Sequence, residues 1–327
     1  MYVKKNYSFW MTFNWSKKPF FIGLFYASII CFFFYYFDIP FYLPWQPISV
    51  IGITVAFYLG FKNNSSYDRT WEARKIYGGI VNDSRSLGIA IVSFIQGENA
   101  DTIKKELIYR HIAWLTVLRH QLRLSRPWEH IENRLKGIYA PIVSEDYENK
   151  LHDELSKYLS EEEVRKLDTS SNKATQILKN QSKRLQSLRD LEYFEDFRHM
   201  ALHDHINHLY AGQGKAERIK NFPFPRQYAS TAIWLTLVFC AIVPFSLLNI
   251  FNGNIWIQMF CPIISAIITW VFFLMEKIGD YSENPFEGTY NDVPITSISV
   301  GIEIDLREMI NDTNIPQPVT SKDGFLM

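Results

Sequence analysis

Four of the chain's eight histidines fall in one ten-residue stretch, "HMALHDHINH", residues 199–208. His199 and His203 form an HxxxH pair, which puts two imidazoles on one helix face at a spacing that can hold a divalent metal. A di-iron membrane oxidase would need several such clusters. The other histidines, His111, His120, His130 and His152, stand singly, so solvated or subunit-contact histidines are the broader reading. A metal- or proton-responsive site at His199/His203, in a membrane metalloenzyme or a sensor, stays open as an alternative. The chain has no Walker A loop, no G-x-S-x-G elbow, no CxxC and no G-x-G-x-x-G. The three cysteines, Cys31, Cys240 and Cys261, all lie in apolar runs and have no metal or disulfide-framework spacing. These residues point away from an enzyme, and no cofactor or bound metal is expected.

The elements that carry these residues divide sharply by charge. Lys and Arg total 34, and Asp and Glu total 34, which excludes a strongly basic nucleic-acid binder. Residues 19–61 hold a single charge, Asp38, and residues 227–275 hold none. Aromatic residues crowd both regions. This is the pattern of an all-α membrane protein with four spans and a polar domain between two pairs of them. The first span, 19–37, gives about 28 Å of helix. The second begins near Ile48, after Pro40, Pro44 and Pro47, and its apolar part gives only about 21 Å, thin for a lipid-facing helix. The third runs over roughly 229–250 and the fourth over 255–275, with Pro244 and Pro262 as candidate kinks.

Lys and Arg flank every span on the side of the termini and the 62–226 domain, and neither short outer loop has one. Both termini and that domain are therefore expected in the cytoplasm of a multi-pass membrane protein. The expected organisation is a cytoplasmic N-terminus at 1–18, spans one and two at 19–61, a helical cytoplasmic domain at 62–226, spans three and four at 227–276, and a cytoplasmic segment and tail at 277–327. Within the domain, the second span continues as a helix through Ile76, Ile80, Leu87, Ile91 and Phe94. Residues 102–124 form a second helix, with breaks at Pro127 and Pro141. A third is capped by Ser160 three residues before Glu163. Residues 172–211 read as one further helix, and the glycines and prolines of "AGQGKAERIKNFPFPRQY" as a connector.

On the second span, Ile53, Phe57 and Phe61 lie within about 80° of one another on one face, and Asn64, Asp68, Trp71 and Lys75 continue it. Gly52 and Gly60 permit close helix approach. Such a face either packs on the other spans or, if copies surround an axis, forms a narrow apolar constriction.

The stretch "IGITVAFYLGFKNNSSYDRTWEAR", with its LGF triplet, "KNNSSYDR" and "WEAR", resembles the bestrophin family in its prokaryotic branch. "AERIKNFPFPRQY" (216–228) and "NPFEG" (284–288) match it in the right order. The resemblance covers essentially the whole chain. It implies a homopentamer in a bacterial inner membrane, with one axial pore and a neck formed by Ile53, Phe57 and Phe61. Its partners would be copies of itself, the lipid bilayer and small monovalent ions. The resemblance also implies a lower cytoplasmic constriction, which counting back from Tyr228 places at Ile206, with Leu202 as competitor. Asn64, Asp68, His199 and His203 are the candidate polar pore-lining residues. Eukaryotic members bind calcium through an acidic run after the NPF motif; "NPFEGTYNDVP" offers only Glu287 and Asp292, so calcium activation of that kind is not expected. The expected function is an ion channel leaning to anions such as chloride because of its two aromatic neck layers, with Asp68 favouring the cation alternative.

Overall fold

A computed structural model of the chain describes residues 1–39, 41, 43–129, 150–289 and 291–327. The expected breaks at Pro40 and Pro141, and His130, lie outside them. Among the described residues the fold is helical, apart from two isolated β-bridges, Tyr2–Phe325 and Lys322–Phe325. The helices are α1 (Phe9–Tyr36), α2 (Trp45–Phe94), α3 (Ala100–Arg123), α4 (Leu151–Leu155), α5 (Glu161–Asp168), α6 (Lys173–Asp190), α7 (Asp196–Asn221), α8 (Arg226–Leu247), α9 (Ile255–Gln258), α10 (Phe260–Ser282) and α11 (Ile295–Met309).

Among the described residues, three segments are long and apolar enough to cross a membrane: Phe9–Tyr36, the part of Asp196–Leu247 formed by α8, and Ile255–Ser282. The expected second span, in α2, is not among them, because its apolar run stops at Phe61 and Lys62 opens a charged stretch. The first helix starts at Phe9, well before Pro19. Ser8 caps it by accepting a hydrogen bond from Met11 N at 3.2 Å. Pro47 falls in the first turn of α2, where a missing N–H costs nothing, so that helix starts at Trp45 rather than Ile48. Pro262 likewise sits in the first turn of α10 and kinks nothing.

The helices α1, α8 and α10 keep their large apolar side chains on the outside. Phe25, Phe32, Trp234, Val238, Phe260 and Val271 are all exposed in the isolated protomer. Surfaces of that kind belong against lipid or another subunit. On their inner sides, α1 and α10 are pinned by Trp270 Nε1 donating to Ser16 Oγ (2.8 Å) and Lys277 Nζ donating to Trp15 O (2.6 Å).

Below the spans, the lower half of α2, α3, α5, α6, α7 and α11 share one core, centred on Trp114, Leu107, Ile112 and Leu118 of α3. The Ser160 cap forms as expected, its hydroxyl accepting from Glu163 N at 3.3 Å. The single helix expected over 172–211 is two. Glu192 adopts a positive φ of 62° and turns the chain between α6 and α7 without help from glycine or proline. Conversely, the expected breaks at Gly212 and Gly214 are helical. A Cβ on Gly212 would come 3.0 Å from Ile80, so this glycine serves the close approach of α7 to α2. Gln213 locks the same turn. It accepts from Trp114 Nε1 at 2.9 Å and donates to Glu217 at 2.8 Å. The break comes only at Phe222–Pro225.

His111 is buried in this core, stacked on Trp114 (5.2 Å), and neither ring nitrogen has a hydrogen-bond partner among the described residues. Burial pushes its pKa down to about 3. The unfolded chain therefore binds a proton between about pH 6.5 and 3 that the native state refuses, so stability falls as pH drops through that window. Thermal unfolding in detergent should show about 2 kcal/mol less stability at pH 5 than at pH 7 from this group. His111→Phe should remove that part of the slope; an unchanged pH profile in the variant would refute the assignment.

Candidate functional site

The α2 helix has 50 residues, about 75 Å, and runs the length of the molecule. One side of it is packed throughout: Val55, Leu59, Lys62, Ser66, Ala73, Ile80 and Leu87 are buried. The opposite side is bare. Ile53, Phe57 and Phe61 are 70%, 68% and 59% exposed, and the stripe continues downward through Asn64, Asp68, Trp71, Lys75, Asn82 and Ile89. Phe57 and Phe61 meet edge to face with centroids 4.6 Å apart. The protomer therefore leaves uncovered the apolar face singled out from sequence, together with the polar residues below it.

What holds that face outward is the packing behind it. A Cβ on Gly52 would come 2.8 Å from the Phe239 ring, so α8 seats directly on the helix there; a Cβ on Gly60 would meet no described atom within 4 Å beyond its own helix, so that position is open. One residue past Phe61, Lys62 turns to the packed side and pairs with Glu276 of α10 at 2.7 Å, both side chains buried. A little lower, Arg69 Nε donates to Glu283 O (2.9 Å) and Thr70 Oγ1 to Ser282 O (2.9 Å). These bonds fix the rotation of α2 about its axis, and with it the direction of the Phe57 and Phe61 rings.

The lower site residues fall elsewhere than expected. Ile206 is 5% exposed and Leu202 is fully buried, both in the protomer's own core. Both expected candidates for the lower constriction therefore pack inward in the single chain rather than standing on its bare side. The same helix exposes Phe197, at 88% the barest large apolar side chain described. It lies in the first turn of α7, where Arg198 Nη1 donates to Phe94 O at 3.4 Å. That places it beside the far end of α2, about 50 Å along the helix from Phe61. His199 and His203 are half-buried, with rings 6.4 Å apart, and His203 Nδ1 lies 3.3 Å from Ser182 Oγ on α6. His203 thus faces α6, while His199 lies 6.1 Å from the Phe194 ring. Among the described residues, no group of three His, Cys, Asp or Glu is placed to hold a metal ion.

A family model described as Bacterial/Fungal Bestrophin protein matches residues 16–308. The chain belongs to that family. Two relatives of this bestrophin carry the name voltage-dependent anion channel-forming protein. YneE of Escherichia coli K12 is 28% identical over 289 residues, covering 85% of this chain and 84% of the relative. RSc3414 of Ralstonia nicotianae is 29% identical over 285 residues, covering 87% and 83%. The crystal structure of a bacterial bestrophin homologue from Klebsiella pneumoniae superposes with a TM-score of 0.76 at 23% identity. It covers 90% of this chain and 98% of its own, a likeness of fold.

In this bestrophin the NPF loop is a clamp. Asp292 accepts from Arg123 Nη1 (3.1 Å), from Thr289 Oγ1 (2.7 Å) and from Gly288 N, while Arg123 Nη2 reaches Val293 O at 3.2 Å. Arg226 pairs with Glu283 at 3.0 Å. The Asp292 carboxylate is engaged by protein donors rather than held open for a hard cation, which would require several free oxygens. Neither this clamp nor Lys62–Glu276 was visible in sequence: each joins residues more than 160 positions apart.

Proposed function

We propose that the protein is a homopentameric channel that passes small monovalent ions, with a preference for anions such as chloride, along an axis lined by α2. The observation that carries this reading is the bare apolar face Ile53, Phe57, Phe61 on a helix whose other side is fully packed. Copies of that face around an axis make a hydrophobic neck that gates by dewetting. Asn64, Asp68, Lys75 and Asn82 then wet the vestibule beneath, and Phe197 forms the lower apolar ring. The reading puts α1, the upper part of α2, α8 and α10 across a bacterial inner membrane, with both termini and the 62–226 domain in the cytoplasm, in keeping with the Lys and Arg distribution. The relatives named as anion-channel formers support the anion preference.

Asp68, exposed just below the neck and without an ion-pair partner among the described residues, favours a second reading, cation preference on the same architecture. One measurement separates them: the reversal potential of the reconstituted protein under a chloride-salt gradient. Reversal near the chloride equilibrium potential is expected; reversal near that of the cation would establish the second reading, and no current would overturn both. The lower ring has its own test. Phe197→Ala should alter single-channel conductance or rectification while leaving thermal stability within about 0.5 kcal/mol of wild type, since the side chain is 88% exposed in its protomer. A pore property unchanged in Phe197→Ala would remove that ring.

A further inference from the structure

The segment before α1 is fastened down. Val3 N donates to Gly324 O (2.9 Å), and Leu326 N to Met1 O (2.8 Å). The rings of Tyr2 and Tyr7 stack 4.1 Å apart, and Phe325 lies 5.1 Å from Tyr2. The C-terminal tail thus holds residues 1–7 against α2 and the end of α10, and a cleft of about 410 Å³ remains between the three.

The chemistry of this cleft is one-sided. Lys4, Lys5 and Arg74 line it, with Tyr67, Trp71 and the Asn63 amide, and among the described residues no carboxylate does. Among the described residues none of these three cations forms an ion pair. Tyr67 and Trp71 stack with planes 9° apart and form a flat apolar wall. Two other clefts among the described residues mix their signs. One between α2 and α7 sets Glu72 and Asp83 beside Lys75 and Arg218, and one at the head of α7 sets Asp190 and Glu195 beside Arg189 and Arg198.

Three uncompensated cations around one concavity raise a positive potential that an oxyanion relieves. Lysines answer it as point charges, and an arginine with a planar fork. The depth of the cleft matters equally. Asn63 is two residues past Phe61, and Ile278 and Ser282 lie just beyond the point where α10 turns from apolar residues to Glu276 and Lys277. With α2 and α10 in a bilayer this is the headgroup level of the cytoplasmic leaflet, where basic pockets between spans take phosphate headgroups and aromatic rings sit at the interface.

We infer that this cleft binds a phosphate-bearing anion, supplied by an acidic phospholipid headgroup or by free phosphate, and that the anion ties residues 1–7 to the base of the neck. The site rests on the proposed membrane placement of α2 and α10, and not on conduction. Its occupancy reaches the neck by a short path, because Asn63 adjoins Lys62, whose pairing with Glu276 orients Phe61.

The test uses the full-length protein. Wild type and a Lys4→Gln, Lys5→Gln, Arg74→Gln variant are reconstituted in vesicles of phosphatidylcholine and phosphatidylglycerol, re-extracted, and compared by native mass spectrometry for retained lipid. Wild type should retain phosphatidylglycerol selectively, and retention should fall about fivefold for each cation removed. Arg74→Gln alone serves if the triple variant fails to assemble. Titration calorimetry of delipidated protein with inorganic phosphate forms the second arm. Saturable heat lost in the variant assigns the site to free phosphate, and lipid retention without such heat assigns it to the headgroup. Equal phosphatidylglycerol retention by wild type and variant, with no phosphate heat in either, overturns the site. Currents recorded on the same samples keep the readings apart: a retention difference in a protein that passes no ions leaves the cleft standing and removes the channel.

Discussion

Replacing Phe57 and Phe61 by alanine is expected to raise unitary conductance severalfold in planar bilayers and to weaken any voltage-dependent closure, the double variant more than either single one. The argument starts from exposure. Both rings stand more than half bare on the protomer, so they contribute little to its fold, and their removal acts on the space they face. An apolar ring narrow enough to shed its water raises the barrier to an ion through lost hydration, and each tenfold in rate corresponds to about 1.4 kcal/mol of barrier. Truncating two stacked layers to methyl groups widens and wets the passage. Ile206→Ala provides the contrast. That side chain is part of the protomer core, so its truncation should cost about 2–5 kcal/mol of stability and leave the conductance of surviving channels as in wild type. Unaltered currents in Ile53→Ala, Phe57→Ala and Phe61→Ala would remove the neck from α2.

The difference between Phe61 and Ile206 also shows what could be read from sequence. The upper face was legible because three large apolar residues recur at helical spacing and give way to Asn64 and Asp68 on the same stripe, a period that survives into the structure. Position along α7 offered no such contrast. Counting back from Tyr228 gives a register but not a direction, and Leu202 and Ile206 are apolar because they pack into their own core. Phe197, which the structure leaves bare, carried a signal of its own, an aromatic between Asp196 and Arg198 whose polar setting leaves no packing reason. The glycines at 212 and 214 misled in the opposite sense. Glycine marks a chain break or a close approach, and only the partner helix, with Ile80 against Gly212, decides between them. The turn at Glu192 had neither glycine nor proline to announce it.

Arg123→Ala is expected to be the most destabilising single change in the described chain. Both partners of the Arg123–Asp292 pair are 1% exposed, so the substitution leaves a carboxylate buried with only the Gly288 amide and the Thr289 hydroxyl to answer it. Losing one partner of such a pair costs about 3–5 kcal/mol. In thermal melts of the detergent-solubilised protein that is a fall of about 4–7 °C. Asp292→Asn should cost less, because the amide oxygen still accepts from Gly288 and Arg123 keeps its bond to Val293 O. Arg123→Met with Asp292→Leu removes the charge imbalance, yet it orphans the Gly288 amide and the Thr289 hydroxyl, so it should recover only part of the loss. A shift below about 1 kcal/mol in Arg123→Ala would show that water reaches the pair. The consequence extends to the pore because the same loop bonds Arg69 of α2 and Arg226 of α8 through Glu283. Loosening it frees the lower half of the neck helix to rotate, and the Phe61 ring with it. Arg123→Ala should therefore broaden the distribution of open-channel conductances in the protein that still assembles, although Arg123 lies far from the stripe proposed to line the pore.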